Sequence, residues 1–262
     1  MRVFELPELQ AQEFPELEFL IGFLHYNGLG VPPNREAAFA SFLAAAEAGL
    51  PSAQYAVGRM LHGHSQSAAA QWYEKAAKQG HRLAAQGLAH IHESWASEGR
   101  GDYSTVIAWL TRAAELGCAT SSAQLGQIFD DGIHVSRDPQ RALLWFQKAC
   151  AQGEATACEL LACAYEDGGL PVTIDPSMAA ELRARADVLR AKSARDESDR
   201  VLRAAKCGDR TSMEMVVEGF RRGYYGLPVD LERAASWEDA LRVRDSEPGT
   251  RSNPDQSGDS DR

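Results

Sequence analysis

The chain has 262 residues, of which 44% are hydrophobic, and its formal net charge is −10. This length allows one or two ordinary domains, and the hydrophobic content is ordinary for a water-soluble protein. The acidic excess, with no basic stripe to offset it, argues against a phosphate-backbone partner and so against nucleic acid. A negative surface would attract a basic protein partner, although an ordinary solvated exterior explains the same charge.

The first twenty residues contain Glu and Pro where a signal peptide has an apolar run. No stretch has the length and apolarity of a transmembrane helix. We therefore expect a cytosolic chain that does not bind membranes. Residues 1–18 are predicted to form an arm that caps the first repeat, because a terminal repeat has an open face to cover; a loose lead-in is the alternative. Within this stretch Pro15 is expected to open the first helix.

One stretch, residues 121–153, has the pattern of a complete pair of helices. Leu125 and Phe129 are four residues apart and therefore share one face of a first helix. Gly132 follows and suits the left-handed conformation in which many helices end. Pro139 begins a second helix, at the position where its missing N–H is harmless. The stretch therefore predicts a helix–turn–helix hairpin of the size of a solenoid repeat.

The same signals recur at intervals of about 35 residues. A small pair followed by a closing glycine ends the second helices, at Gly49, Gly80, Gly117, Gly153 and Gly208. An aromatic residue marks these helices, at Trp72, Trp109, Trp145 and Trp237. The apolar pair of the first helix recurs as Ile21/His25, Val57/Leu61, Leu88/His92, Leu125/Phe129, Leu161/Tyr165 and Val216/Phe220. Six hairpins fit this register, and the second of them has a short loop.

The fifth copy departs from the pattern, because Arg190 stands where the closing glycine belongs. We expect its second helix either to run on past Leu189 or to break near Ser193 before a further helix over residues 196–206. The segment 191–200 is polar, so any bend in the array is expected there.

Two segments resemble repeats of the Sel-one-like repeat family, a branch of the tetratricopeptide superfamily: LGQIFDDGIHVSRDPQRALLWFQKACAQG and QWYEKAAKQG. The resemblance covers roughly residues 19–242. It implies an all-α fold, namely a right-handed α-solenoid of about six repeats whose first helices line the concave side, and which serves mostly as a scaffold. We assign residues 19–245 to this solenoid. The tail, 246–262, has no apolar residue apart from prolines and glycines and is expected to be disordered.

Five cysteines are present, and two of them, Cys150 and Cys158, bracket the closing Gly153. Secreted cysteine-rich members of the resembled family join each repeat by a disulfide at this spacing, but here one repeat alone has the pair. The odd count and the absence of an export signal favour two reduced cysteines that pack as small apolar residues. A single disulfide formed under oxidation is the alternative.

Histidines and glycines offer no recognisable chemistry. His90 and His92 are two residues apart, so on a helix they point in different directions, and His25 and His92 occupy core positions. The sequence contains no H-E-x-x-H or C-x-x-C metal motif, no phosphate-binding loop and no defensible catalytic set. We therefore expect no catalytic residues, no metal and no cofactor.

The remaining functional signal lies on the first helices. Residues two and five positions after the leucine-type residue are expected to face the groove, and the nearby Tyr55 joins them. These candidate partner-binding residues are Phe23, Tyr26, Tyr55, Arg59, His62, His90, Glu93, Gln127, Asp130, Glu166, Glu218 and Arg221. Aromatic anchors beside acidic residues suit a protein or peptide that carries Lys or Arg, although an ordinary solvated face would look the same.

The sequence thus favours a non-enzymatic scaffold that binds a protein or peptide partner in its concave groove. The resemblance allows two other functions. One is an immunity protein that neutralises a bacterial toxin or secretion-system effector, which a charge of −10 would suit if the toxin is basic. The other, less favoured, is β-lactam hydrolysis of the kind reported for cysteine-rich relatives. The oligomeric state does not follow from the sequence.

Overall fold

The computed structural model describes residues 14–206 and 209–246, and in these ranges it consists of twelve helices without a strand. The all-α fold is therefore confirmed. The helices are α1 (Pro15–Asn27), α2 (Arg35–Glu47), α3 (Pro51–His62), α4 (Gln66–Lys78), α5 (Arg82–Ser97), α6 (Tyr103–Glu115), α7 (Ala119–Asp131), α8 (Pro139–Ala151), α9 (Ala155–Asp167), α10 (Pro176–Lys206), α11 (Arg210–Arg222) and α12 (Leu231–Ser246).

The chain divides into two compact units, residues 1–190 and 191–262. The division falls inside α10, which is continuous over all 31 of its residues. The expectation that this helix runs on past Leu189 is confirmed, and the alternative break near Ser193 is wrong. The physical reason is that no glycine or proline interrupts this stretch, so its backbone hydrogen bonds continue although its surface turns polar. Residues 1–13 of the predicted arm and 247–262 of the predicted tail lie outside the described residues, and residues 15–18, which were assigned to the arm, belong to α1.

In the first unit successive helices pack in pairs, and each pair packs against the next along the chain. Helix starts follow the expected capping chemistry. Asn34, Ser65, Asp102 and Asp138 each accept a hydrogen bond from a backbone N–H in the first turn of the helix they precede. Pro15, Pro51 and Pro139 lie at the first helical position. These local signals set the helix boundaries that align the repeats.

Three hairpins are each held by a ring from the second helix that packs onto a glycine of the first helix. Phe146 lies on Gly126, where a Cβ would be 2.6 Å from the ring, and Tyr73 lies on Gly58, where it would be 2.5 Å away. Because such a contact is shorter than any real Cβ contact, glycine is required here for close approach. The buried rings contribute roughly 1.5–3 kcal/mol each. This packing repeats in the first hairpin between Phe42 and Gly22.

Polar side chains tie one hairpin to the next where the second helices end. Gln152 donates through Nε2 to the carbonyl of Ala114 at 3.1 Å and accepts from the Ser122 hydroxyl at 2.7 Å. These bonds satisfy polar groups that helix ends leave without partners inside the helix. The repeats are therefore aligned by directional contacts as well as by apolar burial.

Cys150 and Cys158 form a disulfide, so the expectation that they are reduced is wrong. The eight-residue spacing brings the end of α8 over the first turn of α9, with a Cα–Cα distance of 4.8 Å. That separation lies within the range that disulfides require. Neither the number of cysteines nor the expected compartment determines the distance between the two helices, which is what allows this disulfide. Among the described cysteines, Cys118 and Cys163 are free.

In the second unit α11 packs on α12 around Val216, Phe220 and Leu227, which are buried with the end of α10. Leu227, in the loop between α11 and α12, contacts Gly219, where a Cβ would lie 2.7 Å from its side chain. The sixth predicted hairpin is thus present, and it has its own small core.

Candidate interaction surfaces

We define the first-helix strip as the predicted groove residues on the first helices of unit 1: Phe23, Tyr26, Tyr55, Arg59, His62, His90, Glu93, Gln127, Asp130 and Glu166. All of these side chains are exposed or half-buried. On α7, for example, Leu125 and Gly126 are buried, whereas the next residue, Gln127, is exposed. The helical register therefore separates core positions from accessible positions as the sequence indicated.

An aromatic pair lies on α1 at one end of this strip. The side chains of Phe23 and Tyr26 are 44% and 37% exposed. The Tyr26 ring lies 6.3 Å from the ring of Phe42, so its inner edge packs on the first hairpin while its outer edge faces solvent. Aromatic side chains are enriched at binding hot spots, and this pair is partly packed against the hairpin and partly exposed to solvent.

Tyr55 belongs to a ring cluster that joins α3 with its neighbours. Its ring stacks on His81 at 4.6 Å and lies 5.8 Å from Tyr73, and the Arg59 guanidinium is 5.9 Å from its centroid. His62 lies 6.1 Å from the Tyr73 ring. Burial lowers the pKa of His81 and raises the pKa of Tyr73 to about 12. Tyr55 and His62 therefore contribute to packing, and Arg59 is exposed above them.

Two of the predicted acidic contacts already have cationic partners within the chain. Asp130 pairs with Arg137 at 2.9 Å, and the same guanidinium donates to the Asp130 carbonyl at 2.7 Å. Glu166 pairs with Arg183 through both carboxylate oxygens. The negative charge that these residues offer to a partner is therefore largely compensated.

Glu93 is more available than the other two acidic residues. Its ion-pair partner is His90 at 3.5 Å, which carries a charge only when it is protonated. Glu93 also lies near Tyr103, whose pKa is raised first by burial and then by this carboxylate. The uncompensated negative charge of the strip is therefore concentrated on α5.

The two predicted residues of the second unit form local ion pairs. Glu218 pairs with Arg222 at 3.1 Å, and Arg221 on α11 pairs with Glu238 on α12. Both pairs are compatible with a solvated helix surface.

A pocket that the sequence did not indicate lies between the second helices α6 and α8, with α7 as its floor. Its volume is about 440 Å³. We call it the α6–α8 pocket, and its lining residues are Ile107, Thr111, Phe129, Arg141, Leu144, Trp145 and Lys148. The signal present in the sequence was the Trp-x-x-Lys spacing on α8, where Lys148 lies 4.9 Å from the Trp145 centroid. The same spacing occurs on α4 at Trp72 and Lys75, so it does not by itself distinguish this pocket.

Metal binding finds no support in the parts of the chain that the structure describes, because they hold no group of three or more His, Cys, Asp or Glu residues arranged for it. His92 instead makes an edge contact with Trp95 at 5.1 Å. None of the helices in the two described ranges is both long and apolar enough to cross a membrane.

Solved structures with the same architecture include two with TM-scores above 0.5. The protective antigen c5321 of uropathogenic Escherichia coli, described as having an SLR fold, is 23% identical with a TM-score of 0.61 over 89% of this chain. The match spans 54% of that protein's length. A Sel1 repeat protein of Oxalobacter formigenes is 27% identical with a TM-score of 0.58, over 93% of this chain and 90% of that one.

The immunity protein Pa5087 of Pseudomonas aeruginosa also matches, at 18% identity and a TM-score of 0.45, over 67% of this chain and 68% of its own.

The Sel1 repeat family model matches five stretches, residues 15–50, 51–81, 102–118, 119–154 and 155–186, which together make up more than half of the chain. Their limits agree with the hairpins of the first unit. The matches 15–50, 51–81 and 119–154 each cover one first helix and the whole second helix that follows, and the match 155–186 covers α9 and the start of α10. The fold, the repeat register and these matches agree, and the chain belongs to the Sel1 repeat family.

Proposed function

We propose that this chain is a non-enzymatic scaffold that binds a protein or peptide partner along the first-helix strip. The observation that carries the proposal is the exposed aromatic pair, Phe23 and Tyr26, on the first helix of the array. Repeat arrays of this kind present extended surfaces made of equivalent positions on successive units. The strip offers such a surface, with apolar anchors on α1 and an available carboxylate on α5.

The aromatic pair is expected to supply most of the affinity. A buried aromatic anchor in an interface is commonly worth about 2 kcal/mol or more, whereas an exposed ion pair contributes roughly 0.2–1 kcal/mol. Glu93, Asp130 and Glu166 would therefore act mainly on partner choice and association rate. Because Asp130 and Glu166 already bind Arg137 and Arg183, a basic partner gains most from Glu93.

The test begins with affinity purification of a partner from the source cells, followed by measurement of its affinity for purified variants. The double variant Phe23→Ala/Tyr26→Ala is expected to lower affinity by at least tenfold. Tyr224→Ala is the matched control, because Tyr224 is an exposed tyrosine that lies outside the strip. Equal losses in the two variants, or no loss in the double variant, would refute the assignment of the strip.

A narrower form of the proposal makes the partner a bacterial toxin or effector that this chain neutralises. The net charge of −10 supports it when the toxin is basic. Two observations test it: whether a toxin or effector gene lies beside this one, and whether co-expression protects cells from that toxin. A captured partner with no toxicity would exclude this form and leave the scaffold proposal standing.

The absence of catalysis and the location in the cytosol are also part of the proposal. Purified chain should leave nitrocefin intact, and hydrolysis would overturn the non-enzymatic assignment. The Cys150–Cys158 disulfide opposes a cytosolic location, because disulfides persist mainly in oxidising compartments. Alkylation of free thiols in intact cells, followed by mass spectrometry of this pair, decides between the two compartments.

A further inference from the structure

We propose that the α6–α8 pocket is a second binding site, which takes an acidic peptide segment through an apolar side chain flanked by carboxylates. The site lies on second helices and takes a partner of opposite charge, so it is independent of the function proposed for the first-helix strip.

The floor of the pocket is apolar and rigid. Phe129 is 7% exposed and belongs to the main core of unit 1, and Ile107 and Trp145 pack against that core. Leu144 stands at the mouth with 65% of its surface exposed. A volume of about 440 Å³ lies within the range of about 300–1,000 Å³ in which small-ligand sites fall. The pocket therefore has room for at least one large apolar side chain.

The rim of the pocket is cationic although the chain as a whole is acidic. The Arg141 guanidinium lies 5.3 Å from the Phe129 centroid, and the Lys148 ammonium lies 4.9 Å from the Trp145 centroid. The Nε of Arg141 lies 3.4 Å from a carboxylate oxygen of Asp138, and the Arg141 guanidinium has two further nitrogens that can donate hydrogen bonds to a ligand. Two cations held over aromatic faces, with the Thr111 hydroxyl beside them, suit carboxylates next to an apolar group.

The same register in the preceding pair of second helices lacks this combination. Between α4 and α6 the position of Thr111 is taken by Glu74, and the position of Arg141 is taken by Thr105. Glu74 lies close enough to His92 to affect its pKa, so a carboxylate faces that position.

Arg112 takes the position of Lys148, so one cation recurs, but His92 and Ala108 replace the apolar Phe129 and Leu144. The combination of two cations with an apolar floor and mouth therefore belongs to this pocket and is not a general consequence of the repeat.

A peptide fits this chemistry better than a nucleic acid. Two cations on a chain of net charge −10 provide too little positive charge to hold a polyanionic backbone, which requires a longer basic surface. A short acidic segment needs only the two cations and a place for its apolar side chain.

The experiment pans a library of random heptapeptides displayed on phage against the immobilised full chain. Recovered peptides are expected to combine Glu or Asp with Phe, Leu or Trp. As synthetic peptides, they should bind at least tenfold more weakly to Leu144→Glu, which places a carboxylate at the exposed mouth. Gln147→Glu is the control, since it adds the same charge on an exposed position of α8 outside the lining and should bind like the wild type.

A second variant, Arg141→Thr/Thr111→Glu, copies the α4–α6 register and should also lose binding, with an unchanged circular dichroism spectrum. Recovery of no peptides, recovery of basic peptides, or equal affinity for wild type and Leu144→Glu would overturn the proposal. A short thymidine oligonucleotide is the competing ligand. If it binds more tightly than the peptides, and if Leu144→Glu abolishes that binding, the pocket takes a nucleic acid and the proposed peptide ligand is wrong.

Discussion

The first-helix strip and the α6–α8 pocket lie in the same unit but have opposite chemistry. The strip is aromatic on α1 and negative on α5, whereas the pocket is apolar with two cations at its rim. The strip follows from positions that recur in every repeat, and the pocket arises from residues that differ between repeats. The register shared by the repeats therefore sets which positions are accessible. The residue types at those positions, which differ from repeat to repeat, set what each surface can bind.

The α6–α8 pocket depends on the packing of α7 against α8, because residues of both helices line it, so the largest effect is expected where Phe146 packs on Gly126. Gly126→Ala places a Cβ 2.6 Å from the Phe146 ring and should destabilise the fold by about 1–3 kcal/mol. Gly63→Ala is the control, because a Cβ there meets nothing within 4 Å and its φ is −76°. Urea unfolding of the two variants measures the difference. Equal midpoints would show that the ring does not require the glycine.

The two surfaces should bind their ligands independently, so a variant of one surface should leave binding at the other unchanged. Phe23→Ala/Tyr26→Ala should lower the affinity for the captured partner at least tenfold and leave the affinity for acidic peptides unchanged. Leu144→Glu should do the reverse, because no residue is shared between the two sets. Isothermal titration of both ligands against both variants checks this. Loss of both ligands in either variant would show that the surfaces are one site.

A smaller effect is expected from reversing single charges on the strip. Glu93→Lys should slow association of a basic partner several-fold at low salt, because it replaces the least compensated negative charge of the strip by a positive one. Glu115→Lys on α6 makes the same change of charge away from the strip and serves as the control. Stopped-flow association rates at two salt concentrations provide the measurement. Faster association after Glu93→Lys would mean that the partner is acidic.

The smallest predicted effect concerns pH and the ring cluster beside the strip. Burial lowers the pKa of His81, and its Nδ1 accepts a hydrogen bond from the Ala84 N–H, which requires the unprotonated ring. The unfolded chain therefore binds more protons than the folded chain once the pH falls below about 6.5, so stability is present above that pH and is lost below it.

The check is urea unfolding at pH 7.5 and pH 5.5 for wild type and His81→Asn. Asparagine keeps a capping acceptor but does not titrate, so the variant should lose less stability on acidification. Part of the loss should remain, because burial also lowers the pKa of His92. An identical acid loss in wild type and variant would exclude a contribution from His81.

The fold could be predicted almost completely from the sequence because its signals are local. Gly132 and Pro139 through their backbones, and Asp138 through its capping side chain, set the ends of α7 and α8, and Gly132 takes the left-handed conformation with φ of 64°. The Leu125 and Phe129 spacing placed the buried face correctly. Such signals act over a few residues, so they survive without knowledge of the tertiary structure.

Features that depend on distances between helices could not be predicted in this way. The Cys150–Cys158 disulfide requires the approach of α8 and α9, and the ion pair between Glu166 and Arg183 joins residues 17 positions apart. The α6–α8 pocket needs side chains from three helices. The sequence placed Glu166 on the accessible face but gave no sign that an arginine of the same chain already neutralises it.

A structure of this chain in complex with its captured partner is the decisive measurement. We expect the partner to cover Phe23 and Tyr26 and to bring a basic side chain to Glu93. A partner bound elsewhere, with the α1 aromatic pair still open to solvent, would contradict the proposal.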